Sequence, residues 1–224
     1  MDGRPTLIWL LIFSLHTSGW VSGTFHGIYS CRRELTATKG FISIDCGIAP
    51  DSHYIDDGLQ ILYISDEDFI DTGINYNVSM EYIDNNASKQ YMNVRSFPEG
   101  NKNCYTLRPE GGKGNKYFIR AWFKYGNYDS KNQLPKFKLY LGADEWATVN
   151  IDNPSNTIRK EIMNVPTTDD LYVYLVNIGS GTPFISTLEL RPLNNSIYDK
   201  SEPGSLLLFN RWDFGKEEDD YLIR

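Results

Sequence analysis

From Tyr117 to Lys124 the chain changes character at every residue. Tyr117, Ile119, Ala121 and Phe123 fall on one side of an extended backbone, and Phe118, Arg120, Trp122 and Lys124 on the other. The same period of two returns downstream. Phe137, Leu139 and Leu141 alternate with Lys136, Lys138 and Tyr140, and Leu171, Val173 and Leu175 alternate with Tyr172, Tyr174 and Val176. Ile185, Thr187 and Glu189 oppose Leu188 and Leu190. No window of about 11 residues carries a helical period. A sheet that is apolar on one face has to close that face against another layer. The pattern therefore predicts an all-β sandwich of about eight or more strands.

Further strands are predicted over Phe41–Gly47, Leu59–Ser65, Tyr91–Phe97 and Cys104–Leu107. The acidic stretch Asp66–Gly73, the segment Pro98–Lys102 and the Gly-rich Arg108–Lys116 read as turns and loops. Trp122, Trp146, Phe137, Leu139, Phe184 and Leu188 are expected in the core, with Arg120 and Lys124 on a solvated face. After Leu193 the chain turns polar, and Leu206–Asp213 reads as one more element.

The N-terminus has the three-part plan of a secretory signal: Arg4, an apolar run from Leu7 to Leu15, and small residues up to Gly23. That run is too short for a membrane span, which needs roughly 20 residues. The reading is a signal peptide over 1–23, an irregular extension over 24–39, and a secreted product, or one at the plasma membrane if the chain is part of a receptor. Asn77, Asn86 and Asn194 each begin an Asn-X-Ser sequon, which fits surface glycans in that compartment. Of Cys31, Cys46 and Cys104, the last two lie in patterned segments and are the expected disulfide. Closing that loop would contribute about 4 kcal/mol in the chain-entropy picture.

The formal charge of −7 and the lack of a Lys/Arg stripe argue against nucleic acid as a partner. His26 and His53, the histidines beyond the signal, sit in neither a serine elbow nor a His-Glu-X-X-His motif. No catalytic, cofactor or metal constellation is read from the sequence. Asp66, Glu67, Asp68 and Asp71 lack the spacing of a calcium loop and read as a solvated turn.

Taken in order, many short segments resemble one family. They are Gly40–Gly47, Asp68–Gly73, Val94–Gly100, Asn103–Leu107, Tyr117–Ala121, Tyr125–Asp129, Phe137–Gly142, Trp146–Val149, Gly179–Ser186, Leu188–Leu193 and Arg211–Gly215. Together they resemble the N-terminal half of the malectin-like domain of plant leucine-rich-repeat receptor-like kinases. The resemblance implies a jelly-roll-like β-sandwich lobe over 40–195, then a connector and the start of a truncated second lobe over 196–224. It implies a non-catalytic extracellular module that binds a peptide, a cell-wall glycan or a receptor-kinase ectodomain through loop surfaces. The alternative is a lectin-like carbohydrate-binding module of the cell wall. Animal malectin grips sugar with loop aromatics and an acid, and Tyr125, Tyr128 and Asp129 resemble that patch by their place after the strongest strand. The Gly181-Thr182-Pro183 loop carries no acid, where animal malectin has one.

Overall fold

The computed structural model describes residues 40–84, 87–197 and 203–207. The expected signal segment, the 24–39 extension, Cys31, Asn86 and residues 208–224 lie outside them. Extended structure dominates in chain order: β1 (Ile42–Asp45), β2 (His53–Asp56), β3 (Ile61–Ser65), β4 (Ile74–Asn77), β5 (Asn93–Ser96), β6 (Lys102–Leu107) and β7 (Lys116–Lys124). Then come β8 (Lys136–Leu141), β9 (Asp144–Asn150), β10 (Thr157–Val165), β11 (Leu171–Ser180), β12 (Phe184–Ile185), β13 (Thr187–Leu193) and β14 (Gly204–Leu207). Among the described residues the helical pieces are two 3-10 turns, Met80–Tyr82 and Lys89–Tyr91.

A seven-stranded sheet runs β14-β10-β7-β13-β1-β3-β2, and a four-stranded sheet runs β6-β11-β8-β9. Their facing side chains make the core. Ile44, Ile119, Ala121, Phe123, Ile162, Leu188 and Leu190 come from the first, and Tyr105, Leu107, Phe137, Leu139, Val149, Val173 and Leu175 from the second. Phe123 meets Phe137 edge-on at 5.6 Å between ring centres, which joins the layers. Burying each such side chain contributes about 1.5–3 kcal/mol relative to exposure. Alternation along β7, β8 and β11 therefore corresponds to a real inside and outside, and the chain is an all-β sandwich.

A third, three-stranded sheet, β12-β5-β4, lies at one end. The chain changes sheets at Ser186, between β12 and β13. The Ser186 carbonyl accepts from Cys46 N (2.8 Å), its N–H donates to Trp122 O (2.9 Å), and its hydroxyl accepts from Lys124 N (2.9 Å). A serine serves this corner because its side chain bonds the backbone that the sheet ladder gives up. Gly204–Leu207, within the expected connector, pairs antiparallel with β10 and so is a strand of this same sheet.

Several expectations require correction. Cys46 and Cys104 are both free thiols. Cys46 is fully buried in the core, whereas Cys104 alternates with buried Asn103 and Tyr105 and so faces outward from β6. Strand pleating thus keeps the two sulfurs on different sides of a layer. Arg120 and Lys124 are not on a solvated face. Arg120 donates through Nε to Glu161 Oε1 (2.6 Å) and through Nη1 to Glu189 Oε2 (3.3 Å). Lys124 is buried and its ammonium donates to Ser155 O. Trp122 lies on the same outer face, half-buried, with its ring 5.5 Å from that of Tyr91. Asp66 is not a solvated turn residue either: it is buried, bonded by Arg95 (2.9 Å) and by the Tyr105 hydroxyl (2.8 Å).

Candidate functional site

The segment after β7 reads Tyr125-Gly-Asn-Tyr-Asp-Ser-Lys-Asn132. Gly126, Asn127, Ser130 and Asn132 have left-handed backbones, with φ of 45°, 47°, 57° and 50°. Asparagine tolerates that region better than most residues. Gly126 is required on a second count: a Cβ there would stand 2.1 Å from Val78 Cγ1. The loop is pinned from several sides. Gly126 N donates to Pro154 O (3.0 Å), Ser79 N to Gly126 O (3.0 Å), and the Ser79 hydroxyl to Asn127 O (3.0 Å). Asn127 Oδ1 accepts from Asn132 N (2.9 Å), closing the turn.

Tyr125 and Tyr128 are buried, 1% and 6% exposed. Both rings pack on Phe184, with centres 5.9 and 5.3 Å away. The Tyr125 hydroxyl donates to Asp129 Oδ1 (2.7 Å), and the Tyr128 hydroxyl bonds the Ser96 hydroxyl (2.8 Å). Burial and the Asp129 carboxylate raise the Tyr125 pKa, and burial raises that of Tyr128. The two faces that would stack on a sugar are therefore committed to protein. What the loop presents outward is Asp129, half-buried, followed by exposed Ser130, Lys131, Asn132, Gln133 and Leu134. Asp129 Oδ1 also accepts from Lys131 N (3.2 Å), and Oδ2 lies 3.9 Å from the Lys131 ammonium. The loop end is thus a stiff polar rim with tyrosines beneath it.

The partly exposed ring at this end is Tyr76 of β4, 36% exposed and 5.4 Å from Tyr128. The sequence does not mark it, because β4 is four residues long and its Ile/Tyr alternation is too short to stand out as a strand. Asn77 and Asn194 are both exposed. Asn77 Oδ1 accepts from Asn93 Nδ2 (2.7 Å), and Asn194 Oδ1 from the Ser196 N–H and hydroxyl, each at 2.9 Å. Among the described residues, no three His, Cys, Asp or Glu side chains converge as a metal site, and no helix is long and apolar enough to cross a membrane.

Comparison with known proteins gives a consistent result. The family model for the malectin-like domain matches residues 44–224. A protein of Arabidopsis thaliana named as a leucine-rich repeat receptor-like protein kinase is 47% identical over 177 residues, 79% of this chain and 20% of that protein. The chain thus spans about a fifth of the length of the curated relatives it matches. Among solved structures, the ANX2 ectodomain from Arabidopsis thaliana superposes with a TM-score of 0.59 at 18% identity, covering 69% of this chain and 42% of that one. A complex of the plant peptide RALF23 with FER and LLG2 also matches, with a TM-score of 0.54 at 18% identity over 69% of this chain and 40% of that one.

Proposed function

Because the chain belongs to the malectin-like domain family, we propose that it is a non-catalytic extracellular recognition module of the receptor-kinase type. Its ligand is a peptide, a glycan or another receptor ectodomain, held at the loop end of the sandwich. The observation that carries this reading is the stiffness of the 125–132 loop. A rim fixed by buried Tyr125 and Tyr128, and by the Asn127–Asn132 bond, loses little freedom when a ligand docks. In this reading Tyr125 and Tyr128 shape the site, while Asp129 accepts hydrogen bonds from the ligand.

A peptide is the ligand class to try first. A sandwich of this fold occurs in the RALF23 complex, and here the rings beneath the rim are not open for sugar stacking. The exposed positions of Asn77 and Asn194 support a glycosylated, secreted product. The test is a side-by-side glycan array and peptide-library screen with the secreted chain and its Asp129→Asn variant. Binding to a peptide or receptor ectodomain that weakens in the variant is expected. Tight binding to a sugar that is lost with Tyr128→Phe, a change that keeps the ring, would favour the lectin-like alternative. Retention of every ligand by Asp129→Asn would remove the rim from the site.

A further inference from the structure

Among the described residues β4 is an edge strand with no strand on its outer side. All four of its residues are exposed, and it pairs on one side only, with β5. Val78 N donates to Met92 O (2.9 Å), so the bonded pairs along this ladder are Val78–Met92, Tyr76–Val94 and Ile74–Ser96. The backbone N–H and C=O groups of Asn75 and Asn77 then point away from β5, toward water. One residue further on, the outward N–H of Ser79 is already used by Gly126 O. The open edge is therefore short and has a defined end, at the pinned loop described above. Proteins usually guard such an edge with a lysine, a proline or a bulge. β4 reads Ile-Asn-Tyr-Asn and has none of these, and the sequon side chain of Asn77 lies on the sheet face beside Asn93 rather than along the edge.

The surroundings select what can pair there. Between Asp66 and Ser88 the sequence holds Asp66, Glu67, Asp68, Asp71, Glu81 and Asp84 but no lysine or arginine. Asp66 is buried and neutralised by Arg95, whose guanidinium also bonds Asn75 Oδ1 (3.1 Å) and Thr72 O (2.6 Å). The other five acids are exposed. This like-signed field opposes edge-to-edge pairing with a second copy and attracts a basic chain. Ile74 and Tyr76 share one face of β4, 49% and 36% exposed, and offer apolar contact to alternate side chains of a partner.

The geometry points to β4 as the docking edge for an extended basic peptide, which adds to the β12-β5-β4 sheet as a fourth strand. Main-chain bonds to Asn75 and Asn77 supply the alignment, and the flanking acids choose lysine- or arginine-bearing segments. The inference rests on the recognition reading above and narrows its ligand to a peptide held by backbone.

The test uses the full secreted chain with its glycans trimmed and an eight-residue alternating Val/Lys peptide as probe. Hydrogen exchange is followed by mass spectrometry across residues 73–78. Saturating peptide is expected to slow exchange of the Asn75 and Asn77 amides about tenfold or more. The same peptide N-methylated at alternate residues, and a Val/Glu peptide, are expected to give no protection. Asn75→Pro, which removes an outward N–H while leaving the bonds to β5, should weaken binding of the Val/Lys peptide. Absence of binding overturns the inference, and so does undiminished binding of the N-methylated peptide. Binding with unchanged exchange at 73–78 also overturns it, while leaving the recognition reading intact.

Discussion

Asp45 is the carboxyl group with the poorest support in the sandwich. It is fully buried; Oδ2 accepts from the Tyr54 hydroxyl at 2.7 Å, and Oδ1 has no partner among the described residues. Burial pushes its pKa up to about 7, the Tyr54 bond opposes the rise, and nearby Asp66 adds to it. The folded state therefore holds the proton more tightly than the unfolded chain does. The resulting stability is complete below the ordinary carboxylate range and is lost as pH rises through about 7. Unfolding by urea should show stability about 2–3 kcal/mol lower at pH 8 than at pH 5. Asp45→Asn should flatten that slope, and an unchanged slope would show that Asp45 is not its source. Tyr128 makes a second residue-scale case. Tyr128→Phe removes only the bond to Ser96 and should cost about 1 kcal/mol. Tyr128→Ala empties a ring packed on Phe184 and should cost about 3–5 kcal/mol. Equal costs would mean that the ring is not a packed part of the core.

The outer face of the large sheet behaves as an element with its own logic. Glu161 of β10, Arg120 of β7 and Glu189 of β13 face one another across neighbouring strands, and Arg191 and Tyr63 also bond Glu189, at 3.2 and 2.5 Å. Arg120 is the cation the two carboxylates share, and each has a second one, Arg159 at Glu161 (3.5 Å) and Arg191 at Glu189 (3.2 Å). Arg120→Ala should cost about 1.5–3 kcal/mol in a urea titration, because the shared hydrogen bonds to two buried carboxylates go while Arg159 and Arg191 remain. Lys138→Ala, which breaks an exposed pair with Glu145, should leave the midpoint in place. A small effect of Arg120→Ala would mean that the ladder contributes as little as a surface pair. This face also explains which strands were legible in the sequence. β7, β8 and β11 alternate cleanly because each has one strongly apolar side. β10 was not read as a strand, since Arg159-Lys160-Glu161 interrupts its apolar positions with charges that the fold neutralises across strands. β2 and β4 are four residues each, too short for alternation to stand out, and β14 has one neighbour among the described residues and two exposed leucines. The loop after β7 was legible as a place. The direction of its tyrosines was not, because one sequence serves a ring turned outward or one turned onto Phe184.

Across the whole molecule the thiols report on how the layers hold together. Cys46 follows β1 directly, in the middle of the seven-stranded sheet, and its backbone is tied to Ser186 at the corner where the chain changes sheets. Its thiol is fully buried, and burial followed by the nearby Asp66 charge raises its pKa well above the ordinary range. A reagent has no route to that sulfur unless the two layers separate. Cys104 lies on the outside of the four-stranded sheet, half-buried beside Tyr174, and burial raises its pKa as well. The two thiols should therefore be modified through different motions. With Cys31 and Cys104 changed to Ser, labelling of Cys46 should speed up with urea along the slope of global unfolding. With Cys31 and Cys46 changed to Ser, labelling of Cys104 should barely depend on urea below the transition. Glycine packing makes the same dependence testable from the other side of the sulfur. A Cβ on Gly47 would stand 2.3 Å from the Val94 carbonyl oxygen, so Gly47→Ala must push β5 away from the end of β1. Faster Cys46 labelling in Gly47→Ala, matched by an equal fall in global stability, is expected for one cooperative sandwich. Faster labelling with unchanged global stability would instead divide the β12-β5-β4 sheet from the rest as a unit that opens alone.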